Sequence, residues 1–173
     1  MLENLSKYRI VLGSHSPRRR ELLSGLDIPY EVITLPDVDE HYPEHLQKEA
    51  IPVYIAHLKA EAYRKMMRDD TLLITADTIV WLNGQVYGKP QDEADAQTML
   101  RALSGQTHEV ITGVCLTTHE KQQSFHAVSS VKFAGLEENE IKYYVRKYLP
   151  YDTAGAYGVQ ELSQPHVLRF PLL

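Results

Sequence analysis

Two short apolar runs, residues 8–13 (YRIVLG) and 71–77 (TLLITAD), each stop abruptly at polar residues. They constrain the fold more than any other feature of the chain. Runs of this length without polar alternation suit strands covered on both faces, as in an α/β sheet. The first is followed by SHSPRRRELL, in which Ser16 suits an N-cap and Pro17 the first helical position. Leu22, Leu23 and Leu26 then share one helical face.

The remaining pattern agrees with a layered α/β fold. YEVIT reads as a second strand and DVDEHYPEH as an acidic, proline-marked loop. Residues 51–68 predict a helix, with Val53, Ala56, Leu58, Ala60 and Ala62 as its apolar positions. TIVWLNGQVYGKP predicts a hairpin, because Asn83-Gly84 is a favoured two-residue turn. DEADAQTMLRALSG predicts an amphipathic helix closed by Gly105. THEVITGVCLTT and SFHAVSSVKFAG predict long antiparallel strands, and EENEIKYYVRKYL another helix. In DTAGAYGVQ the small residues let backbones approach closely. Strands and helices alternate with hairpins inserted, which gives an α/β sheet with a mixed-direction edge or lobe.

Length and composition fit one soluble domain, or one domain with a small lobe: 173 residues, 43% hydrophobic and 24% charged. A chain of this size buries roughly two-thirds of its unfolded surface and needs no disulfide or structural metal. The single Cys115 lies in an apolar run, which predicts a buried thiol and fits a cytosolic compartment. No stretch reads as a signal peptide or a membrane span. The formal net charge of -5 argues against a nucleic-acid polymer as partner. Basic residues nevertheless cluster at Arg18, Arg19 and Arg20 and again at Arg64, Lys65 and Arg68, which favours a small anionic ligand.

Several residues carry candidate chemistry. The strand, turn and helix start around residue 16 aim backbone N–H groups at one point. Ser14 and Ser16 add hydroxyl donors, and Arg18 and Arg19 add guanidinium groups suited to phosphate. A solvated basic turn with a simple Ser16 cap is the plain alternative. Asp77, read at a strand exit, suits a divalent metal, activation of water, or a cap on the next element. Lys89, fixed between Gly88 and Pro90, is either a phosphate ligand or a solvated lysine. Asp37, Asp39 and Glu40 would repel a polyphosphate unless a hard cation intervenes; otherwise they form an exposed acidic loop. Lys59 either reaches a phosphate or pairs with a glutamate. The eight histidines form no HExxH and no Cys/His cluster, which disfavours zinc. GxSxG, GxxxxGK[ST] and GxGxxG do not occur, which disfavours a serine hydrolase and the standard nucleotide folds.

Taken in order, GSHSPRRRELL, VDE, the helix bearing Lys59, ADTIV, GKP, LSGQTHEVITGV and DTAGAYGVQ resemble the Maf-like nucleoside triphosphate pyrophosphatases, from about residue 9 to 160. The resemblance implies an α/β fold in which a mixed β-sheet with flanking helices forms a two-lobed cleft, related to the inosine triphosphate pyrophosphatases. It implies cytoplasmic hydrolysis of a nucleoside triphosphate between its α and β phosphates, with a divalent metal (Mg²⁺ or Mn²⁺), and a homodimer. By motif, Asp77 matches the family's proton acceptor, and Ser14, Arg19, Glu40, Lys59 and Lys89 match its phosphate and metal site, Glu40 and Asp77 on the metal. Arg18, Thr78 and Gln160 match the positions that separate subfamilies, and look like the dTTP/UTP-hydrolysing branch. The 7-methyl-GTP branch carries an aromatic, a glutamine and a glutamate there. An amide at Gln160 offers a donor and an acceptor to a pyrimidine edge. After Gln160 the chain reads ELSQPHVLRFPLL, where the family has a GLPL-like motif and a final helix. The expected unit is a single Maf-like domain over 1–173, shortened or altered after about residue 160. The same hydrolysis on another triphosphate, and a nucleotide-binding regulatory protein with little turnover, are the competing readings.

Overall fold

The parallel strands are where the apolar runs predict them. The computed structural model describes residues 3–35 and 38–158, with six strands and four α-helices among them. In chain order these are β1 (Arg9–Gly13), α1 (Pro17–Ser24), β2 (Glu31–Ile33), α2 (Ala50–Tyr63), β3 (Thr71–Leu82) and β4 (Gln85–Tyr87). Then come α3 (Glu93–Leu103), β5 (Thr107–Thr117), β6 (Gln122–Lys132) and α4 (Glu138–Tyr148). The sheet order is β2-β1-β3-β5-β6, with β4 on β3. β1 pairs in parallel with β2 (Val11 opposite Glu31) and with β3 (Val11 opposite Leu73), whereas β3 and β4 are antiparallel. Four residues join β5 to β6, a hairpin length, since a parallel pair needs a crossover of a dozen residues or more. The sheet is therefore mixed, as the sequence predicts.

The chain divides into two compact units, residues 1–77 with 112–127 and residues 78–111 with 128–173. Each has its own core. In the first, Val11, Leu73 and Cys115 from the strands pack with Ala56, Ala60 and Tyr63 of α2. Ala56, Lys59, Ala60 and Tyr63 recur at i, i+3, i+4 and i+7, one stripe of a helix. In the second, Val80 and Leu82 pack with Ala96, Leu100 and Leu103 of α3 and with Ile141, Tyr144 and Val145 of α4. Asp92 caps α3 by accepting the Asp95 N–H at 2.8 Å, and Glu137 and Glu140 form a capping box on α4.

Three local expectations are corrected. The helix predicted over 51–68 is α-helical only to Tyr63 and tightens to a 3-10 turn over Arg64–Met66. β3 does not stop at Asp77 but runs on through Leu82, so Asp77 lies inside a strand rather than at its exit. The apolar TIVWL after it sustains the ladder, and Asn83-Gly84 makes the turn instead. Ser16 occupies the N-cap of α1, yet its side chain makes no capping bond; the Ser14 hydroxyl accepts the Ser16 N–H at 3.1 Å. Cys115 is buried as expected, and burial pushes its thiol pKa up.

Candidate active site

Strand alternation brings the first unit's chemistry together. Along β3, Thr71, Leu73, Thr75 and Asp77 share one face. The Thr75 hydroxyl donates to the Ala56 carbonyl of α2 at 2.8 Å. Two residues further on the strand and three further on the helix, Lys59 Nζ donates to Asp77 Oδ1 at 2.7 Å. The same ammonium group lies 3.0 Å from Glu40 Oε1. Lys59 and Asp77 are nearly buried, whereas the Glu40 side chain is half-exposed. Lys59 thus sits on the helix stripe that also carries the core residues Ala56, Ala60 and Tyr63. Glu61, by contrast, pairs with Arg64 on the exposed side.

Arg19 enters from α1. Its Nη1 donates to the Ala76 carbonyl at 2.7 Å and to Ser14 Oγ at 3.4 Å. Burial lowers its pKa, opposed by the Asp77 and Glu40 carboxylates, which raise it. Both charges therefore act on the guanidinium. Ser14 is buried, and Ser16 and Arg18 are half-buried. The loop leading to Glu40 is fixed at its start, where the Leu35 N–H donates to Tyr63 Oη and His15 Nε2 bonds the Leu35 carbonyl, each at 3.0 Å. Asp39 is exposed and accepts the His41 N–H at 3.0 Å. Chemically, the arrangement offers two carboxylates and two cationic side chains, with a hydroxyl beside them, around the middle of β3.

Thr78 and Lys89 belong to the second unit, Thr78 half-buried on β3 and Lys89 exposed after β4. Asp37 and Gln160 lie outside the described residues. Two polar groupings were not singled out from sequence. In the first unit, His57 Nδ1 bonds Gln122 Oε1 at 3.0 Å and Nε2 bonds Ser124 Oγ at 3.1 Å, tying α2 to β6. In the second, His108 is buried and bonds Tyr157 Oη at 2.6 Å. No spacing rule joins residues that lie 65 or 49 positions apart.

The fold is that of a mixed α/β protein, similar to the solved Ham1 protein of Staphylococcus aureus (TM-score 0.55, 20% identity, covering 73% of this chain and 72% of that one). The profile of the Maf-like proteins matches residues 9–170, and the chain belongs to that family. A protein of Phocaeicola vulgatus named dTTP/UTP pyrophosphatase is 63% identical over 161 residues, 93% of this chain and 83% of the relative. Relatives of the same name from Porphyromonas gingivalis strain W83 (93% of this chain, 82% of the relative) and Flavobacterium johnsoniae (92% and 81%) are 56% and 44% identical.

Proposed function

We propose that this chain hydrolyses dTTP and UTP to the monophosphate and pyrophosphate. The observation that carries the reading is the placement of Lys59 and Arg19 beside Asp77 and Glu40 in one unit. The relatives named dTTP/UTP pyrophosphatase support it, as does the trio Arg18, Thr78 and Gln160. Residues 9–170 fall within one family profile, so the two units are read as parts of one Maf-like domain. A cytoplasmic homodimer belongs to the same reading. Among the described residues no helix is long and apolar enough to cross a membrane.

The donor set fits a hard divalent cation. Glu40 and Asp77 come from different segments yet meet at one ammonium group. Two carboxylates are enough for Mg²⁺ or Mn²⁺ when phosphate oxygens and waters complete the shell. Among the described residues no group of three or more His, Cys, Asp and Glu side chains is placed to hold a metal. Glu40 and Asp77 would hold the ion, which when bound supplies charge neutralisation on the phosphates.

The side chains supply the remaining chemistry. Arg19, oriented by the Ala76 carbonyl, presents its guanidinium edge to phosphate oxygens. Lys59 and Lys89 add point charges that stabilise the negative charge building on the leaving pyrophosphate. Asp77 accepts a proton as water attacks the α-phosphorus and the bond to the α–β bridging oxygen breaks. Arg18, Thr78 and Gln160 select the nucleotide.

The test is direct. The purified protein with Mg²⁺ or Mn²⁺ is incubated with dTTP, UTP, dCTP, CTP, GTP and 7-methyl-GTP, and products are resolved by ion exchange. dTTP and UTP should give monophosphate and pyrophosphate. Orthophosphate with a diphosphate would overturn the site of cleavage, and preference for 7-methyl-GTP would overturn the substrate.

A further inference from the structure

The second unit holds a buried polar pair that packing alone does not account for. His108 is 1% exposed, and its Nε2 lies 2.6 Å from Tyr157 Oη. Among the described residues its Nδ1 has no hydrogen-bond partner. The ring stands edge-on to Phe133 and Tyr157, at centroid distances of 4.9 and 5.4 Å, and these two stand edge-on to each other at 4.8 Å. A phenylalanine at 108 would keep these ring contacts and leave no buried nitrogen unpaired. What a hydrocarbon ring lacks is the bond to Tyr157.

Tyr157 lies in a segment fixed at further points. The Gly155 N–H donates to the Gly88 carbonyl at 2.9 Å. Gly155 has φ +70°, and a Cβ there would fall 2.8 Å from Val80 Cγ2, so the segment lies tight on β3. The Gly158 N–H donates to the buried Tyr144 Oη at 3.1 Å. Gly88 immediately precedes Lys89, and Gly158 stands two residues before Gln160. One hydrogen-bonded segment, Gly155 to Gly158, is therefore anchored to the residue before Lys89 and to α4.

We propose that His108, acting through Tyr157, is a positioning residue that fixes this segment, and with it the Lys89 loop, for nucleotide recognition. The proposal rests on the pyrophosphatase reading above for the role of Lys89. Its physical content is preorganisation: a fixed segment loses little freedom when nucleotide binds, so breaking the bond weakens binding rather than slowing chemistry.

The experiment compares His108→Phe, His108→Gln and Tyr157→Phe with the unmodified protein. Glutamine places an amide near the Nε2 position, whereas phenylalanine keeps only the packing. KM for dTTP should rise about three- to tenfold in His108→Phe and Tyr157→Phe, as expected for one lost neutral hydrogen bond, with kcat held within about twofold. His108→Gln should recover most of the KM. Hydrogen exchange should show faster exchange at the Gly155 and Gly158 amides in both Phe variants, with the α3 amides unchanged. Unchanged KM in both Phe variants, with turnover intact in the unmodified protein, overturns the proposal and leaves the pyrophosphatase reading standing. If the unmodified protein turns over no triphosphate, that reading falls, and unchanged exchange at Gly155 and Gly158 then overturns the positioning role itself.

Discussion

Lys59 Nζ lies within 3.0 Å of both Asp77 Oδ1 and Glu40 Oε1, so one ammonium group compensates two carboxylates from different segments. The arrangement makes the three residues energetically interdependent. Removing any one of them changes the charge state felt by the other two.

Asp77→Asn keeps the shape and the contact with Lys59 but removes the carboxylate proposed to accept the proton. Turnover should fall by about 10²–10⁴-fold, the usual contribution of a positioned base, while nucleotide binding by calorimetry is largely retained. Lys59→Met leaves a nearly buried carboxylate without its cation and should destabilise the fold by about 3–5 kcal/mol in urea unfolding. The double variant should recover part of that loss. Losses in the double variant equal to the sum of the two single losses would show the pair to be uncoupled.

Arg19 tests the value of a fork over a point charge. Arg19→Lys cannot reach the Ala76 carbonyl and Ser14 Oγ as a planar guanidinium does. A rise in KM of about tenfold or more is expected in steady-state assays, since the phosphate contact proposed for Arg19 would lose its bidentate form together with its orientation. Wild-type KM in this variant would remove Arg19 from phosphate binding.

At Gly113 on β5 the backbone of α2 comes close. A Cβ there would collide with backbone atoms of Pro52 and Val53, which no side-chain rotation relieves. Gly113→Ala should therefore cost about 1–3 kcal/mol or more by displacing α2, seen as a lower Tm. Because α2 carries Lys59, activity should fall more than stability at temperatures where the variant is still folded.

Acid should weaken the fold through His108. Burial pushes its pKa from 6.5 down to about 4, so the unfolded chain takes up the proton first as pH falls. The full contribution is present above about pH 6.5 and is lost progressively down to about pH 4, a difference of about 3 kcal/mol. Urea unfolding at pH 7.5, 5.5 and 4.5 should show this slope, and His108→Phe should flatten it. Equal slopes in both proteins would assign the acid sensitivity elsewhere.

The sequence makes the local elements legible and the long-range contacts less so. The apolar runs identify β1 and the start of β3, Pro17 identifies the start of α1, and Asn83-Gly84 identifies the β3–β4 turn. The length of β3 is not legible, because a polar residue inside a strand looks like its end. Asp77 stays in the ladder because its carboxylate has a cation waiting on α2. The choice of partner for Lys59 is also hidden, since Glu61 is nearer in sequence but lies on another face of the helix. His108 escapes for a different reason. Burial along β5 recurs at Ile111, Gly113, Cys115 and Thr117, and extending that period backwards would turn His108 outward. The alternation changes phase before Ile111, and no residue type announces it.

The unit boundaries fall inside β3, β5 and β6, between residues 77 and 78, 111 and 112, and 127 and 128. Neither unit is then a continuous stretch of polypeptide. On a ribosome, the strand that bears Asp77 emerges long before residues 112–127, which complete the first unit. That unit can close only after residue 127 has been synthesised, so Lys59 and Asp77 acquire their finished surroundings well after both have left the ribosome.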